Sequence, residues 1–242
     1  MSSLPFETSN VFLSILTLVT LYNSLVSITP PNPNPYAGQS TKSAPAEKNP
    51  RPNDTVAFTA APLFVQANKA WVVAVGLCHA VITLYYPAAP PPNICPNPAN
   101  LSPQMFTWSW ATLALNTLAI AASLARRQCF GQLGKSFTFQ LTAPKKLITT
   151  GMYGYMQHPS YTFLLVVIFS YLFLVASRGG LLSCWISVSE RVYWSLAAAY
   201  LASVVWTFSN RVMDEEKILR DTFGKEWEIW HQKTKRFIPG LI

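Results

Sequence analysis

Five apolar runs, separated by polar or proline-rich stretches, constrain the fold of this chain more than any other feature. A helix needs about 20 apolar residues to cross the hydrocarbon core of a bilayer, and the runs come close to that length. Only 12% of the residues are charged, against about 25% in a typical soluble domain. The sequence therefore predicts an all-α integral membrane protein with about five transmembrane helices, over residues 10–28, 70–86, 105–125, 161–177 and 192–209.

The distribution of basic residues predicts the orientation of these helices. If all five runs cross the membrane, sixteen of the 18 lysines and arginines lie on one side and two on the other. Cytosolic loops carry the excess of Lys and Arg, so the N-terminus is expected in the lumen and the C-terminus in the cytosol. The charged tail from residue 211 onward is predicted to form a cytosolic amphipathic helix. The basic residues match no nucleic-acid-binding motif, so no nucleic-acid partner is expected.

The cysteines and the first long loop are expected to be chemically passive. Cys78, Cys95, Cys129 and Cys184 form no CxxC pair, and three of them lie in or beside apolar runs. We expect them to be small apolar residues in helices, without a disulfide framework or a metal site. Segment 30–62 is rich in Pro, Asn, Ser and Thr. It is predicted to be an irregular loop and is the segment least expected to carry chemistry.

Residues able to carry chemistry concentrate in two polar stretches, each at the border of an apolar run. In the first, residues 150–161, Pro159 suits the first turn of the fourth predicted helix, and the free N–H groups of such an end bind carboxylates. His158, Tyr153 and Tyr161 flank this end, and aromatic faces can hold a sulfonium or ammonium cation. The alternative interpretation is an interfacial aromatic belt with a structural helix cap.

The second stretch follows the fifth apolar run. Arg211 and Glu215 are four residues apart and therefore share one helical face. The alternative interpretation is an ion pair on an interfacial helix, without a catalytic function. Asp214 and Glu216 are predicted on other faces, in solvent, and His231 is also expected to face solvent. No GxGxxG, P-loop, GxSxG or HExxH motif is present, so a nucleotide-like cofactor would need a different kind of site.

Together, the two stretches resemble the isoprenylcysteine carboxyl methyltransferase family and the wider set of membrane methyltransferases that includes phospholipid methyltransferases. The resemblance covers roughly residues 137–242, a methyltransferase-like catalytic region, and leaves residues 1–136 as an N-terminal region with the first three helices and the proline-rich loops. The matching positions are Gly151-Met152-Tyr153, His158-Pro159-Ser160-Tyr161, Arg211, Glu215-Glu216, Phe223-Gly224-Lys225-Glu226-Trp227 and Ile238-Pro239.

The resemblance implies an S-adenosylmethionine-dependent O-methyltransferase of the endoplasmic reticulum. It would methylate the C-terminal carboxylate of a prenylated cysteine in CaaX processing, and its partners would be prenylated protein C-termini or a small lipophilic acceptor, with membrane lipid. Arg211 and Glu215 would be the catalytic residues, and Arg211 would bind the acceptor. A carboxylate is ionised at neutral pH, so it needs orientation and no general base. The residues implied for the cofactor are Gln140, Lys145, Lys146, Leu147, Ile148, Tyr153, His158, Pro159, Ser160, Tyr161 and Glu215.

Three features depart from the family pattern and keep other functions open. Gln157 stands where the family has arginine, Phe163 stands where it has glycine, and segment 178–190 lengthens the stretch between the two motifs. One alternative is methyl transfer to another lipophilic acceptor, such as a phospholipid amine or a terpenoid acid. The tail also resembles NADPH-dependent sterol reductases, and a non-catalytic membrane interaction protein is a further alternative.

Overall fold

The computed structural model describes residues 7–35 and 52–240, and its regular elements in these ranges are helices without any β-strand. The predicted all-α class is confirmed. Contacts divide the chain into two units. As far as their residues are described, the first unit is formed by Met1–Ile28, Gln66–Arg127 and Phe163–Tyr193, and the second unit by Thr29–Val65, Gln128–Thr162 and Trp194–Ile242. A functional division at residue 137 stays a prediction.

Proline and apolar length define most of the helices. Pro62, Pro103 and Pro159 each stand at the first position of a helix, where a missing N–H has no cost. The α-helices are α1 (Thr8–Ser27), α2 (Pro62–Tyr85), α3 (Pro103–Phe106), α4 (Trp110–Leu133), α5 (Pro159–Ala176), α6 (Glu190–Phe223) and α7 (Lys225–Lys233). Four helices of the described ranges are long and apolar enough to cross a membrane, namely α1, α2, α6, and α5 together with the turn that follows it.

Helix α4 is less apolar than these four, but its contacts within the first unit support a fifth crossing. Just before its start, Trp108 Nε1 donates a hydrogen bond to the Ser9 carbonyl at 3.0 Å, at the beginning of α1. Further along α4, Arg126 Nε donates to the Ser27 carbonyl at 2.9 Å, at the end of α1. The two helices therefore run side by side in the same direction. A helix that lies beside a membrane-crossing helix from end to end is placed to cross the membrane with it.

A disulfide between Cys95 and Cys184 joins the loop after α2 to the loop after α5. Beside it, Ser102 N donates to the Gly179 carbonyl at 2.8 Å. A disulfide that holds both loops on one side of a membrane requires an even number of crossings between them, so if α5 crosses, α4 is expected to cross as well. The sulfurs are buried in an apolar cluster whose members include Val75, Ile82, Leu101, Phe106, Val175 and Leu181.

The expectation that all four cysteines are passive residues in helices is wrong for this pair. Cys95 and Cys184 lie outside the α-helices and are separated by 89 residues, so no short motif reports the pairing. Cys78 and Cys129 lie in α2 and α4, as expected.

Helix α6 contains two segments for which the sequence predicts separate elements, the fifth transmembrane helix and the start of the charged tail. Its 34 residues give a length of about 51 Å at about 1.5 Å per residue, well beyond the bilayer core of about 30 Å. The predicted fifth span and the start of the charged tail are therefore one continuous helix. The chain turns at Gly224, whose φ of +51° suits glycine, and continues as the short helix α7.

Removal of the disulfide should lower the stability of the first unit. We expect Cys95→Ser and Cys184→Ser each to reduce the free energy of unfolding by about 2–4 kcal/mol, because the bond closes a long loop in the unfolded chain. Thermal unfolding of the purified protein in detergent measures this as a lower midpoint. The double variant should have the same unfolding midpoint as the single variants. A substantially lower midpoint would mean that the two side chains contribute to stability independently of their bond.

Candidate active site

The C-terminal half of α6 buries charged side chains in the second unit. Arg211 and Glu216 are each 7% exposed. Arg211 Nε lies 3.8 Å from Glu215 Oε1, one helical turn further on, so the two share a face as their spacing predicts. The prediction that Glu216 lies in solvent is wrong, because Arg236 covers it from the segment after α7. The Arg236 guanidinium holds the Glu216 carboxylate with two hydrogen bonds, of 2.7 Å and 2.8 Å.

Each nitrogen of the Arg211 guanidinium has an acceptor from another part of the second unit. Nη1 pairs with Asp54 Oδ2 at 2.6 Å, Nη2 donates to the Phe139 carbonyl, and Nε donates to the Tyr161 hydroxyl at 3.2 Å. The Tyr161 hydroxyl in turn donates to Glu215 Oε1 at 2.5 Å. A buried guanidinium is tolerated only with such a complete set of partners. The arrangement fixes the plane of Arg211 and the position of the Glu215 carboxylate together.

His158 lies between two carboxylates. Its Nδ1 is 3.4 Å from Glu215 Oε2, its Nε2 is 3.5 Å from Glu216 Oε1, and the residue is 5% exposed. Burial alone lowers the pKa of His158, but the contacts with Glu215 and then Glu216 outweigh burial and raise the pKa above the ordinary value of 6.5. The three side chains link the first motif to the second motif, and the two carboxylates favour the protonated imidazole.

The segment after α7 fixes His158 through the backbone. His158 N donates to the Arg236 carbonyl at 2.9 Å and Gln157 N to the Lys235 carbonyl at 2.7 Å. The Gln157 side chain, 4% exposed, donates through Nε2 to the Thr234 carbonyl at 3.0 Å and to the His231 carbonyl at 3.2 Å. Gln157, which replaces the arginine of the family pattern, is thus a clamp between the first motif and the tail.

His231 belongs to the same clamp. Its Nδ1 contacts Gln157 Oε1 at 2.9 Å, and its ring stacks on Trp227 with 4.4 Å between the ring centroids. His231 is half-buried, so the expectation that it faces solvent is met only in part. Trp227 and Trp230 are buried, and Trp230 Nε1 donates to the Tyr153 carbonyl at 2.8 Å, so the apolar stripe of the tail packs inside the second unit.

A cavity of about 620 Å³ opens beside this cluster, with Asp54 common to both. Gln140 also lines it, and the Gln140 Nε2 donates to the Ala60 carbonyl at 2.9 Å. The cavity is large enough for a cofactor of nucleotide size. Its lining, amide and carboxylate groups among small apolar residues, comprises Asn34, Pro52, Asn53, Asp54, Ala57, Ala60, Ala61, Pro62, Gln140 and Leu141.

The residues that the resemblance implies for the cofactor fall into separate places. His158, Tyr161 and Glu215 contact one another in the ion-pair cluster, and Gln140 lies at the cavity. The remaining members are distinguished by burial: Tyr153, Pro159, Ser160 and Leu147 are buried, Ile148 is half-buried, and Lys145 and Lys146 are exposed. Their roles toward a cofactor stay predictions.

Asp54 is one of the residues of this site that sequence reasoning misses, together with Arg236 and Phe139. It lies in segment 30–62, which is the segment least expected to carry chemistry, yet its side chain is 12% exposed and pairs with Arg211. Residues 36–51 of that segment lie outside the described ranges. The one available signal is that Asp54 is the only acidic residue between Glu47 and Glu190, in a chain whose buried arginine needs a carboxylate partner.

Residues 113–221 match the Isoprenylcysteine carboxyl methyltransferase (ICMT) family. This range contains Gln140, His158 and Tyr161 as well as Arg211, Glu215 and Glu216, that is, most of the cluster just described. Over this range, which is less than half of its length, the chain is similar to that family. Asp54 and Arg236, which complete the ion pairs, lie outside the matched range.

Curated plant proteins are similar to the chain at low identity. The chain is 26% identical over 148 residues to a probable protein-S-isoprenylcysteine O-methyltransferase from Oryza sativa, in subsp. indica and in subsp. japonica, which covers 59% of this chain and 69% of the relative. It is 28% identical over 130 residues to protein-S-isoprenylcysteine O-methyltransferase B from Arabidopsis thaliana, which covers 51% of this chain and 56% of the relative. No solved structure matches the chain.

The raised pKa of His158 predicts that stability falls as the pH rises above neutrality. Protonated His158 contributes stability fully below the unfolded pKa of about 6.5, and this contribution is lost as the pH rises through the higher folded pKa. The pKa of His231 is lowered by burial, so His231 affects stability at lower pH, with the opposite sign. Thermal midpoints in detergent between pH 6.5 and 9 test this, and a His158→Gln variant should show a flatter profile than the wild type.

Loss of the Gln157 clamp should loosen the tail. We expect Gln157→Ala to lower the free energy of unfolding by about 1–3 kcal/mol, because it leaves buried carbonyls without donors. Hydrogen exchange should become faster at residues 231–236, where the clamp is attached. Gln232→Ala, at an exposed position of α7 next to His231, serves as the control. Equal rates of exchange in the two variants would contradict the role of Gln157.

Proposed function

We propose that this protein transfers a methyl group from S-adenosylmethionine to the C-terminal carboxylate of a prenylated cysteine. The observation that supports this most is the buried Arg211, oriented by Tyr161 and Phe139 and placed next to a cavity through Asp54. A guanidinium held in one plane presents its charge and its N–H groups to a carboxylate in a fixed direction. Arg211 would orient the acceptor carboxylate for attack, and Glu215 would keep Tyr161 and Arg211 in place.

The residues present fit S-adenosylmethionine by the chemistry of their side chains. The cluster contains three carboxylates, Asp54, Glu215 and Glu216, and two guanidiniums, Arg211 and Arg236. With His158 protonated, as its raised pKa favours, the charges of the cluster cancel, so a cationic cofactor would be attracted by an individual carboxylate and not by a net charge. Amides that can bind polar edges line the cavity, including Gln140, Asn34 and Asn53. When bound, the cofactor supplies an electrophilic methyl group on a sulfonium.

An oxygen acceptor that is already ionised suits this site better than an amine. An amine acceptor has to lose a proton to a base. The candidate bases, His158 and Glu215, are engaged with each other and with Tyr161. A carboxylate needs no such base, and its negative charge is drawn toward Arg211. Methyl transfer to a phospholipid amine therefore remains the second candidate.

The proposal places the ion-pair cluster on the cytosolic side and the disulfide in the lumen, in the endoplasmic reticulum. Disulfides persist in oxidising compartments such as this lumen. The two loops that carry Cys95 and Cys184 are also those with the fewest basic residues. Charge distribution and cysteine chemistry thus support the same orientation, with the N-terminus in the lumen.

Replacement of Arg211 by lysine tests the proposed role of the guanidinium. Arg211→Lys keeps the charge but loses the planar fork, so we expect kcat/KM for N-acetyl-S-farnesylcysteine to fall by about 100-fold or more. The assay follows the methyl label of S-adenosylmethionine in detergent-purified protein. Arg127→Lys, at an exposed position of α4, should retain activity.

The choice of acceptor decides between the candidate functions in the same assay. Label on phosphatidylethanolamine and not on the farnesylcysteine would show that the acceptor is an amine. Label on a terpenoid acid alone would retain the carboxylate chemistry and exclude the prenylcysteine. Turnover at the wild-type rate by Arg211→Lys would show that Arg211 does not bind the acceptor.

A further inference from the structure

The segment between α1 and α2 places a carboxylate on the side chain that the proposed function assigns to the acceptor. Asp54 Oδ2 lies 2.6 Å from Arg211 Nη1, and the two side chains are 12% and 9% exposed. We propose that Asp54 is a built-in competitor of the acceptor carboxylate. It pairs with Arg211 while no acceptor is bound and returns to Arg211 once the acceptor has become a neutral ester. This inference rests on the proposed function.

The remaining nitrogens of the guanidinium are occupied by groups that hold Arg211 in place. Nε donates to the Tyr161 hydroxyl and Nη2 to the Phe139 carbonyl. Nη1 is therefore the nitrogen that is left to bind a carboxylate, and Asp54 occupies this position. An acceptor carboxylate gains the charge-assisted hydrogen bond of Nη1 only by replacing Asp54 there.

The backbone around Asp54 has attachments that do not depend on the ion pair. Thr55 N donates to Asp214 Oδ2 at 2.7 Å, and the Ala60 carbonyl accepts from Gln140 Nε2 at 2.9 Å. Asp54 also lines the cavity, so space lies beside its side chain. A rotation of the Asp54 side chain toward the cavity would vacate Nη1 and release the hydrogen bond that Val56 N donates to Asp54 Oδ1, while the segment stays attached at Thr55 and Ala60, after Asp54.

Charge determines when Asp54 leaves and when it returns. An acceptor carboxylate carries the same charge as Asp54 and can replace it at similar electrostatic cost. The methyl ester is neutral and cannot compete with a carboxylate for a buried guanidinium. After methyl transfer Asp54 regains Arg211, so Arg211 no longer contributes to the binding of the product. Asp54 thereby sets how strongly the site distinguishes acid from ester.

Asp54→Asn removes the competitor and keeps a side chain of the same shape. We expect N-acetyl-S-farnesylcysteine to bind Asp54→Asn about tenfold more tightly than the wild type, because the acid no longer displaces a charge. The methyl ester, which binds with Asp54 still on Arg211, should change by less than about twofold. Isothermal titration of the full chain in detergent, without cofactor, measures both affinities.

Asp214→Asn is the matched control. It weakens the attachment of the same segment at Thr55 but leaves the pair of Asp54 and Arg211 intact. Its affinity for the acid should remain at the wild-type value. An equal gain in Asp214→Asn would show that opening of the segment, and not competition by a carboxylate, controls binding, and would overturn the proposal.

A measurement on the wild type tests the proposal even if Asp54→Asn does not fold. Since Asp54 already neutralises Arg211, the wild type should bind the acid and the uncharged carboxamide of N-acetyl-S-farnesylcysteine within about threefold of each other. A preference for the acid of about tenfold or more would mean that Arg211 is available without competition, and would overturn the role of Asp54.

The outcomes separate this inference from the proposed function. Binding of the acid with equal affinity to the wild type and to Asp54→Asn would refute competition by Asp54 and leave the proposed function standing. If neither protein binds the acid, the ester or the carboxamide, the proposed function itself fails, and the competitor role fails with it.

Discussion

The Arg211 guanidinium is removed from water, and the candidate site is organised by the need to satisfy it. A buried charge that loses one partner costs about 3–5 kcal/mol, so its partners have to be present together. Asp54, Phe139 and Tyr161 come from three separate stretches of the chain and meet at this one side chain. The same requirement that stabilises the second unit therefore also fixes the geometry in which a substrate carboxylate would be bound.

A second group of buried polar contacts extends from Arg211 through Glu215 to His158. Glu215 accepts from Tyr161 and contacts His158, whose backbone is paired with the segment after α7. The tail is thus part of the site and not only an interfacial anchor. Gln157 supplies hydrogen bonds that bind the tail to the first motif. A departure from the family pattern at this position is consequently absorbed by packing within the second unit.

The membrane part of the fold follows a simpler rule. The length of the apolar runs predicts the helices, and contacts between loops and helix ends determine which helices lie together. The contacts of α4 with α1 and the disulfide between Cys95 and Cys184 support the crossing that the apolar run over residues 105–125 predicts, although α4 is less apolar than the other long helices. Membrane-crossing helices leave loops on alternate sides, so one covalent link between two loops constrains every helix between them. This is information about topology that composition does not contain.

The sequence by itself determined what depends on short spacing. Apolar runs of helical length predicted the membrane helices, and a separation of four residues predicted that Arg211 and Glu215 share a face, because helical geometry relates such neighbours directly. Only the tertiary structure decided which distant groups meet. Asp54 and Arg211 are 157 residues apart and the two bonded cysteines 89, and no periodicity encodes contacts at such separations. The burial of Glu216 was missed for the same reason, since its partner Arg236 arrives only after the chain has turned at Gly224 and passed through α7.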